Sequence, residues 1–172
     1  MTTIRKILPA ITLILLSFQP WSCKKSPTTS TSPAPPGISA SFNPASAGTD
    51  AAVSFIVTIS ANSKEIRSFG GEVAFDTRLF VFQGVTKGSL TGSWALVDAN
   101  ESSPGTLRLG GSAGGSAAVA VNSSGTLIEI LFKVSGGDYG NGQQSRVCLA
   151  QLTDDLTQFA SGEACAGFTL RK

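Results

Sequence analysis

Apolar and polar positions alternate through most of this 172-residue chain, most clearly from Phe69 to Leu90. Phe69, Gly71, Val73 and Phe75 share one parity while Ser68, Glu72 and Asp76 take the other, the period-two signature of a strand buried on one side. Asp76-Thr77-Arg78 breaks the pattern, Leu79 to Phe82 resume it, and Gly84-Val85 and Gly88-Ser89-Leu90 mark the exit. Over residues 52–59 Val53, Phe55, Val57 and Ile59 line one face and Ser54 and Thr58 the other. Further strands are predicted over 38–42, 66–75, 79–85, 94–100, 106–112, 117–121, 126–134, 146–152 and 165–170. Within 94–100, Trp94, Leu96 and Asp98 oppose Ala95 and Val97. Turns are expected at Asn43-Pro44 and over 61–65, 113–116 and 136–142, and a helical turn only over 154–160. Nine or ten short strands, with no helical stripe and no internal repeat, predict one all-β domain folded as a two-sheet sandwich.

The N-terminus has a different pattern. Arg5-Lys6 precede an apolar run over 7–18 that is too short to cross a bilayer as a permanent helix, so residues 1–22 are expected to be a secretory signal. Cys23 follows small Ser22, the arrangement of a bacterial lipoprotein signal in which that cysteine receives lipid, although Pro20 and Trp21 depart from the usual pattern. Lys24, where an Asp would favour inner-membrane retention, points to export to the outer membrane or cell surface. The Pro, Ser and Thr tract that follows, to residue 37, buries nothing and is expected to be an extended tether. At about 3 Å per residue it would hold the domain some 40 Å from the lipid. Residues 38–172 then form the folded module, large enough for an ordinary core.

Charge narrows the partners. The chain carries 13 basic and 11 acidic residues; without Arg5, Lys6, Lys24 and Lys25 the balance is 9 against 11, which leaves no electrostatic footprint for nucleic acid. With Cys23 lipidated, Cys148 and Cys165 remain as an even pair in an exported domain, so a disulfide is the default expectation and two buried free thiols the alternative.

Chemistry is sparse. The chain has no histidine, which excludes Ser-His, Cys-His and His-metal machinery, and no cofactor is expected. Asp98/Glu101 and Asp154/Asp155 are the only carboxylate clusters, and at strand ends they read as solvated turn formers rather than catalytic pairs. Asp98, Asn100 and Glu101 lack the Gly-punctuated loop of a calcium site. Gly110 to Gly115 follow a strand with no helix after them, so they read as turn and bulge glycines rather than a phosphate cradle. Trp94 and Tyr139, one in each of two segments, are the only aromatics beyond the leader that could form a sugar-stacking platform.

Two elements in order carry a resemblance. The strand-turn-strand around Phe75-Asp76 and the later strand Gly125-Thr126-Leu127-Ile128-Glu129-Ile130-Leu131-Phe132-Lys133-Val134 resemble the cohesin family, the β-sandwich receptor modules of cellulosome scaffolds. The resemblance implies a nine-stranded jelly-roll sandwich that recognises a protein partner, a dockerin, through one sheet face and has no enzymatic activity. In the best-known class the strand before the Phe75-Asp76 position presents an Asn and an Asp; here Ser68 and Gly70 stand there, one hydroxyl and no side chain. By parity the expected recognition face is Ser68, Glu72, Trp94, Leu96, Asp98, Asn100, Thr106 and Arg108, with Trp94 and Leu96 as an exposed apolar pair. The expected function is a membrane-tethered binding module in polysaccharide degradation or surface assembly. Direct polysaccharide binding and a purely structural lipoprotein are the alternatives.

Overall fold

Strand β3, Ala52–Ser60, shows how the alternation is used: Val53, Phe55, Val57 and Ile59 are buried and the residues between them are not. The structure is a computed structural model that describes residues 36–135, 137–159 and 161–172. Residues 1–35, with the expected signal segment, Cys23 and nearly all of the tether, lie outside the described residues.

The remaining strands are β1 Gly37–Asn43, β2 Ser46–Ala47, β4 Ser68–Ala74, β5 Phe80–Lys87, β6 Leu96–Ser103, β7 Thr106–Ser112, β8 Gly125–Val134, β9 Gln144–Asp154 and β10 Ala164–Leu170. They form a four-stranded sheet in the order β1-β3-β8-β5 and a six-stranded sheet in the order β2-β10-β9-β4-β7-β6. The all-β two-sheet sandwich predicted from the alternation is the observed fold. Every pairing is antiparallel except that of β2 with β10. Strand β2 has only two residues, too short to leave an alternating signature.

Between the sheets sits an aromatic core. Phe42 stacks on Phe80 at 5.5 Å, and Phe80 meets Phe168 edge-on at 5.1 Å and Phe132 at 5.4 Å. Such pairs contribute about 0.5–1.5 kcal/mol each beyond the area they bury. Cys148 and Cys165, directly opposite one another on β9 and β10, form the expected disulfide. Closing a loop of 17 residues stabilises by about 3 kcal/mol in the chain-entropy model.

Two predicted elements differ. Residues 117–121 form no strand: Val119 makes one isolated bridge to Ile66, and a buried side chain secures the rest. Asn62 donates to the carbonyls of Lys64 and Ala120 at 2.7 and 2.9 Å and accepts from the Ser123 N–H at 2.8 Å. The strand expected from Trp94 begins instead at Leu96, because Trp94 closes a tight turn. There the Thr91 N–H donates to the Gly88 carbonyl at 3.1 Å, the Trp94 N–H to the Thr91 carbonyl at 2.9 Å, and the buried Thr91 hydroxyl to the Leu127 carbonyl at 2.7 Å. Strand parity therefore does not reach Trp94, whose ring turns inward, 1% exposed and 5.6 Å from Phe69. Gly110 and Gly111 lie in β7, within the strand predicted over 106–112, and the Phe69 ring occupies the space where a Gly111 Cβ would stand, at 2.4 Å. The helical turn over 154–160 is a single 3₁₀ turn, Asp155–Gln158.

Trp94 thus counts as core. Trp94→Ala is expected to cost about 3–5 kcal/mol, read from urea unfolding midpoints, whereas Leu96→Ala two residues on changes stability by no more than about 0.5 kcal/mol.

Candidate functional site

On β4 and β7 the core takes Phe69, Gly71, Val73, Leu107, Leu109 and Gly111, so the other parity faces outward. Register arranges those outward residues in rows across the sheet. Leu96, Ser112 and Ser68 stand in one row; Asp98, Gly110, Gly70 and Thr153 in the next; Asn100, Arg108, Glu72 and Ala150 in a third. Thr106, Ala74, Cys148 and Cys165 continue the face, so the disulfide lies on it.

Seven of the eight residues expected on a recognition face are thereby brought together: Ser68, Glu72, Leu96, Asp98, Asn100, Thr106 and Arg108. The eighth, Trp94, is in the core, so the predicted apolar pair is split and Leu96 stands without it, 55% exposed. Arg108 donates to Glu72 across the β4–β7 pair at 3.3 Å, an exposed ion pair of about 0–1 kcal/mol. Strand β9 contributes Gln151 and Thr153, which parity could not nominate because strand order is invisible in a one-dimensional pattern.

Gly70 and Gly110 leave the middle of the second row without side chains. Two adjoining depressions of about 350 and 320 Å³ result, sharing Arg108, Leu109 and Gly110 as their common lining. One runs to Gln151, Thr153 and Asp154, the other to Leu96, Asp98 and Ser112. Opposed glycines at one register position were the available signal in the sequence, but it has meaning only once the pairing is known.

The carboxylate clusters are engaged in structure. Asp155 Oδ2 accepts the backbone N–H groups of Arg67 and Ser68 at 2.7 and 3.1 Å, fixing the entry to β4. Glu101 accepts the Gly105 N–H at 3.1 Å in the β6–β7 turn, and Asp98 accepts the Ala99 N–H at 2.8 Å. Among the described residues no group of three or more Cys, Asp or Glu stands where it could hold a metal ion.

The sugar platform weighed as an alternative does not form from Trp94 and Tyr139. Trp94 is buried, and Tyr139, between β8 and β9, is committed to the turn after β4, where its hydroxyl donates to Asp76 Oδ2. Arg78 binds the same carboxylate through its backbone N–H at 2.9 Å and its guanidinium at 3.3 Å, and lies 4.9 Å above the Tyr139 ring. Burial works to raise the Asp76 carboxyl, but the hydrogen bonds from Tyr139 and Arg78, with the Arg78 charge, outweigh it and hold the group below its ordinary value. The hydrogen bond to Asp76, then burial and the carboxylate charge, push the Tyr139 phenol up.

The described residues thus form a two-sheet sandwich whose larger sheet presents a mixed-charge outer face that includes Glu72, Asp98 and Arg108. Residues 38–158 match the family model of the cohesin domain, and the chain belongs to the cohesin family. The match ends before β10, so Cys165 lies beyond it. The sixth cohesin of Acetivibrio cellulolyticus scaffoldin B, solved in complex with a Cel5 dockerin, superposes with a TM-score of 0.61 at 13% identity, over 78% of this chain and 99% of that one. A non-cellulosomal cohesin from Archaeoglobus fulgidus gives 0.58 at 15% identity, over 79% and 92%. The cohesin module of a Clostridium perfringens family 33 glycoside hydrolase gives 0.59 at 12% identity, over 79% and 96%. At these identities the likeness is one of fold. No curated protein matches the chain.

The Asp76–Tyr139 contact has a defined pH signature. A lowered carboxyl stabilises the fold above its unfolded value and loses that contribution as pH falls through the folded one; a raised phenol contributes below its unfolded value and loses it as pH rises through the folded one. Urea midpoints of the natural protein and of Tyr139→Phe are therefore expected to differ most near neutral pH and to converge both in strong acid and in strong alkali.

Proposed function

We propose that this chain is a non-catalytic cohesin module that holds a dockerin-like protein partner on the outer face of its six-stranded sheet. The observation that carries the proposal is the convergence of Ser68, Glu72, Leu96, Asp98, Asn100, Thr106 and Arg108 on one rigid surface, in a chain of the cohesin family. A complex with a dockerin among the structural neighbours supports the partner class. Ser68 and Gly70 in place of an Asn and Asp pair mean that the partner is recognised by other contacts than those of the best-known class, with Leu96 as the exposed apolar anchor. The buried Trp94 and the engaged Tyr139 argue for a protein rather than a glycan as the direct ligand.

The segment ahead of the domain gives the module its place. Residues 1–22 direct export, Cys23 carries lipid, and the Pro-rich tether to residue 37 spaces the domain from an outer membrane or cell surface. There the module would display a partner involved in polysaccharide degradation or surface assembly.

Two outcomes are expected. In calorimetric titrations against a panel of dockerins, at least one binds the natural protein, and Leu96→Glu weakens it by about tenfold or more, as for an apolar anchor; a panel without any binder overturns the dockerin assignment. In cell fractionation, Cys23→Ser moves the protein from the membrane to the soluble exported fraction, whereas an unchanged distribution overturns the lipid anchor.

A further inference from the structure

We propose that the Cys148–Cys165 disulfide is a thiol-exchange site of the folded protein, attacked at Cys165 by a dithiol protein, with Cys148 as the leaving group. The reaction belongs to this chain's own cysteines and does not depend on which ligand the outer face holds.

Position comes first. Cys148 and Cys165 stand directly opposite one another on β9 and β10, half-buried on the side of the sheet away from the core. Exchange requires a thiolate to reach one of the two sulfurs, so access decides whether a disulfide reacts and at which end. The thiolate must also arrive in line, from the side opposite the bond that breaks. Register defines those two sides, because the row across the sheet reads Thr106, Ala74, Cys148, Cys165. A nucleophile aimed at the Cys148 sulfur has to come over Ala74 and Thr106, whereas one aimed at Cys165 comes from beyond β10.

That far side is open. Strand β2, the neighbour of β10, pairs with it only at Thr169 and Leu170, four and five residues past Cys165. Among the described residues no other strand borders β10 there. A depression of about 560 Å³ is lined by Cys165, Gly167 and Thr169 of β10, by Gln144 and Arg146 of β9 and by Ala45. Gly167, two residues from Cys165 on the same side of the strand, leaves the space beside the sulfur empty: a Cβ built there would meet no heavy atom within 4 Å. Arg146 lies directly opposite Gly167, and its guanidinium is 3.9 Å from Glu163, the outer limit of an ion pair. Its positive charge favours the thiolate form of a sulfur nearby.

The exchange balances in two steps. A thiolate of the dithiol protein bonds to Cys165 Sγ as the Cys148–Cys165 bond breaks, and Cys148 leaves as a thiolate that takes a proton from water. The second thiol of the attacking protein gives its proton to water and displaces Cys165 from the mixed disulfide, and the Cys165 thiolate is protonated in turn. The dithiol is thereby oxidised to a disulfide and the two cysteines of this chain are reduced, an exchange of two electrons.

One substitution tests the approach without touching a cysteine. Gly167→Leu places a side chain in the open space beside Cys165, and Ala74→Leu places one on the approach to Cys148.

The experiment uses the full chain with Cys23→Ser, which leaves Cys148 and Cys165 as its two cysteines. The probe is a thioredoxin whose resolving cysteine is replaced, so that the reaction stops at the mixed disulfide. After alkylation of the thiol set free, proteolysis at Glu163 separates the two cysteines, and mass spectrometry shows which one carries the probe. Capture at Cys165 is expected to exceed capture at Cys148 by about tenfold or more. The rate is expected to stay constant in urea below the unfolding midpoint, because the native fold is the reactive form. Gly167→Leu is expected to slow capture about tenfold and Ala74→Leu to change it by less than about twofold, with the urea midpoints of both oxidised variants measured alongside to show that the sandwich is kept. Capture mainly at Cys148, a rate that climbs with urea in step with unfolding, or undiminished capture by a folded Gly167→Leu protein overturns the site.

Discussion

The ring of Phe69 lies where a side chain on Gly111 would have to be, and this contact governs the rest of the larger sheet. Any Cβ at Gly111 would stand 2.4 Å from the ring, so β4 and β7 meet in the register that brings this aromatic and this glycine together. Trp94 seals the ring from beyond the sheet edge. Because strand side chains alternate strictly, locking one inward residue assigns every other residue of the pair to a face, and a slip by one position would turn the outer face into the core. The outward rows are thus a by-product of the packing beneath them.

The same dependence explains which features were legible in the sequence. Long alternating runs such as 52–59, 68–74 and 106–112 carried strand identity and facing direction together, because each is buried on one side only. From them the sandwich and seven face residues followed. What alternation could not convey was which strands are neighbours: that Gly70 meets Gly110, or that β9 supplies Thr153 to the same surface, is a consequence of three-dimensional order. Trp94 was misplaced for a different reason. Parity was carried one turn past the start of the strand, into a segment ruled by the hydrogen bonds of Thr91. Segment 117–121 shows a third limit, since an apolar stretch can be secured by a single buried amide, here Asn62, as readily as by a ladder.

Within the cohesin family this chain keeps the scaffold and changes the surface. The flat sheet, the Phe75-Asp76 turn and the aromatic interior belong to the architecture, with Asp76 used locally to draw Arg78 and Tyr139 together. The face, by contrast, combines a paired arginine, one exposed leucine and two glycines opposed across β4 and β7.

The bridge between Cys148 and Cys165 joins β9 to β10 on the outer face of the larger sheet. Strand β9 also holds Thr153 and Asp154, so the covalent tie steadies one wall of the surface and not merely the interior. It can form only where thiols are oxidised. A copy whose two thiols stay reduced would therefore keep the sandwich but hold the β9–β10 side of the larger sheet less firmly.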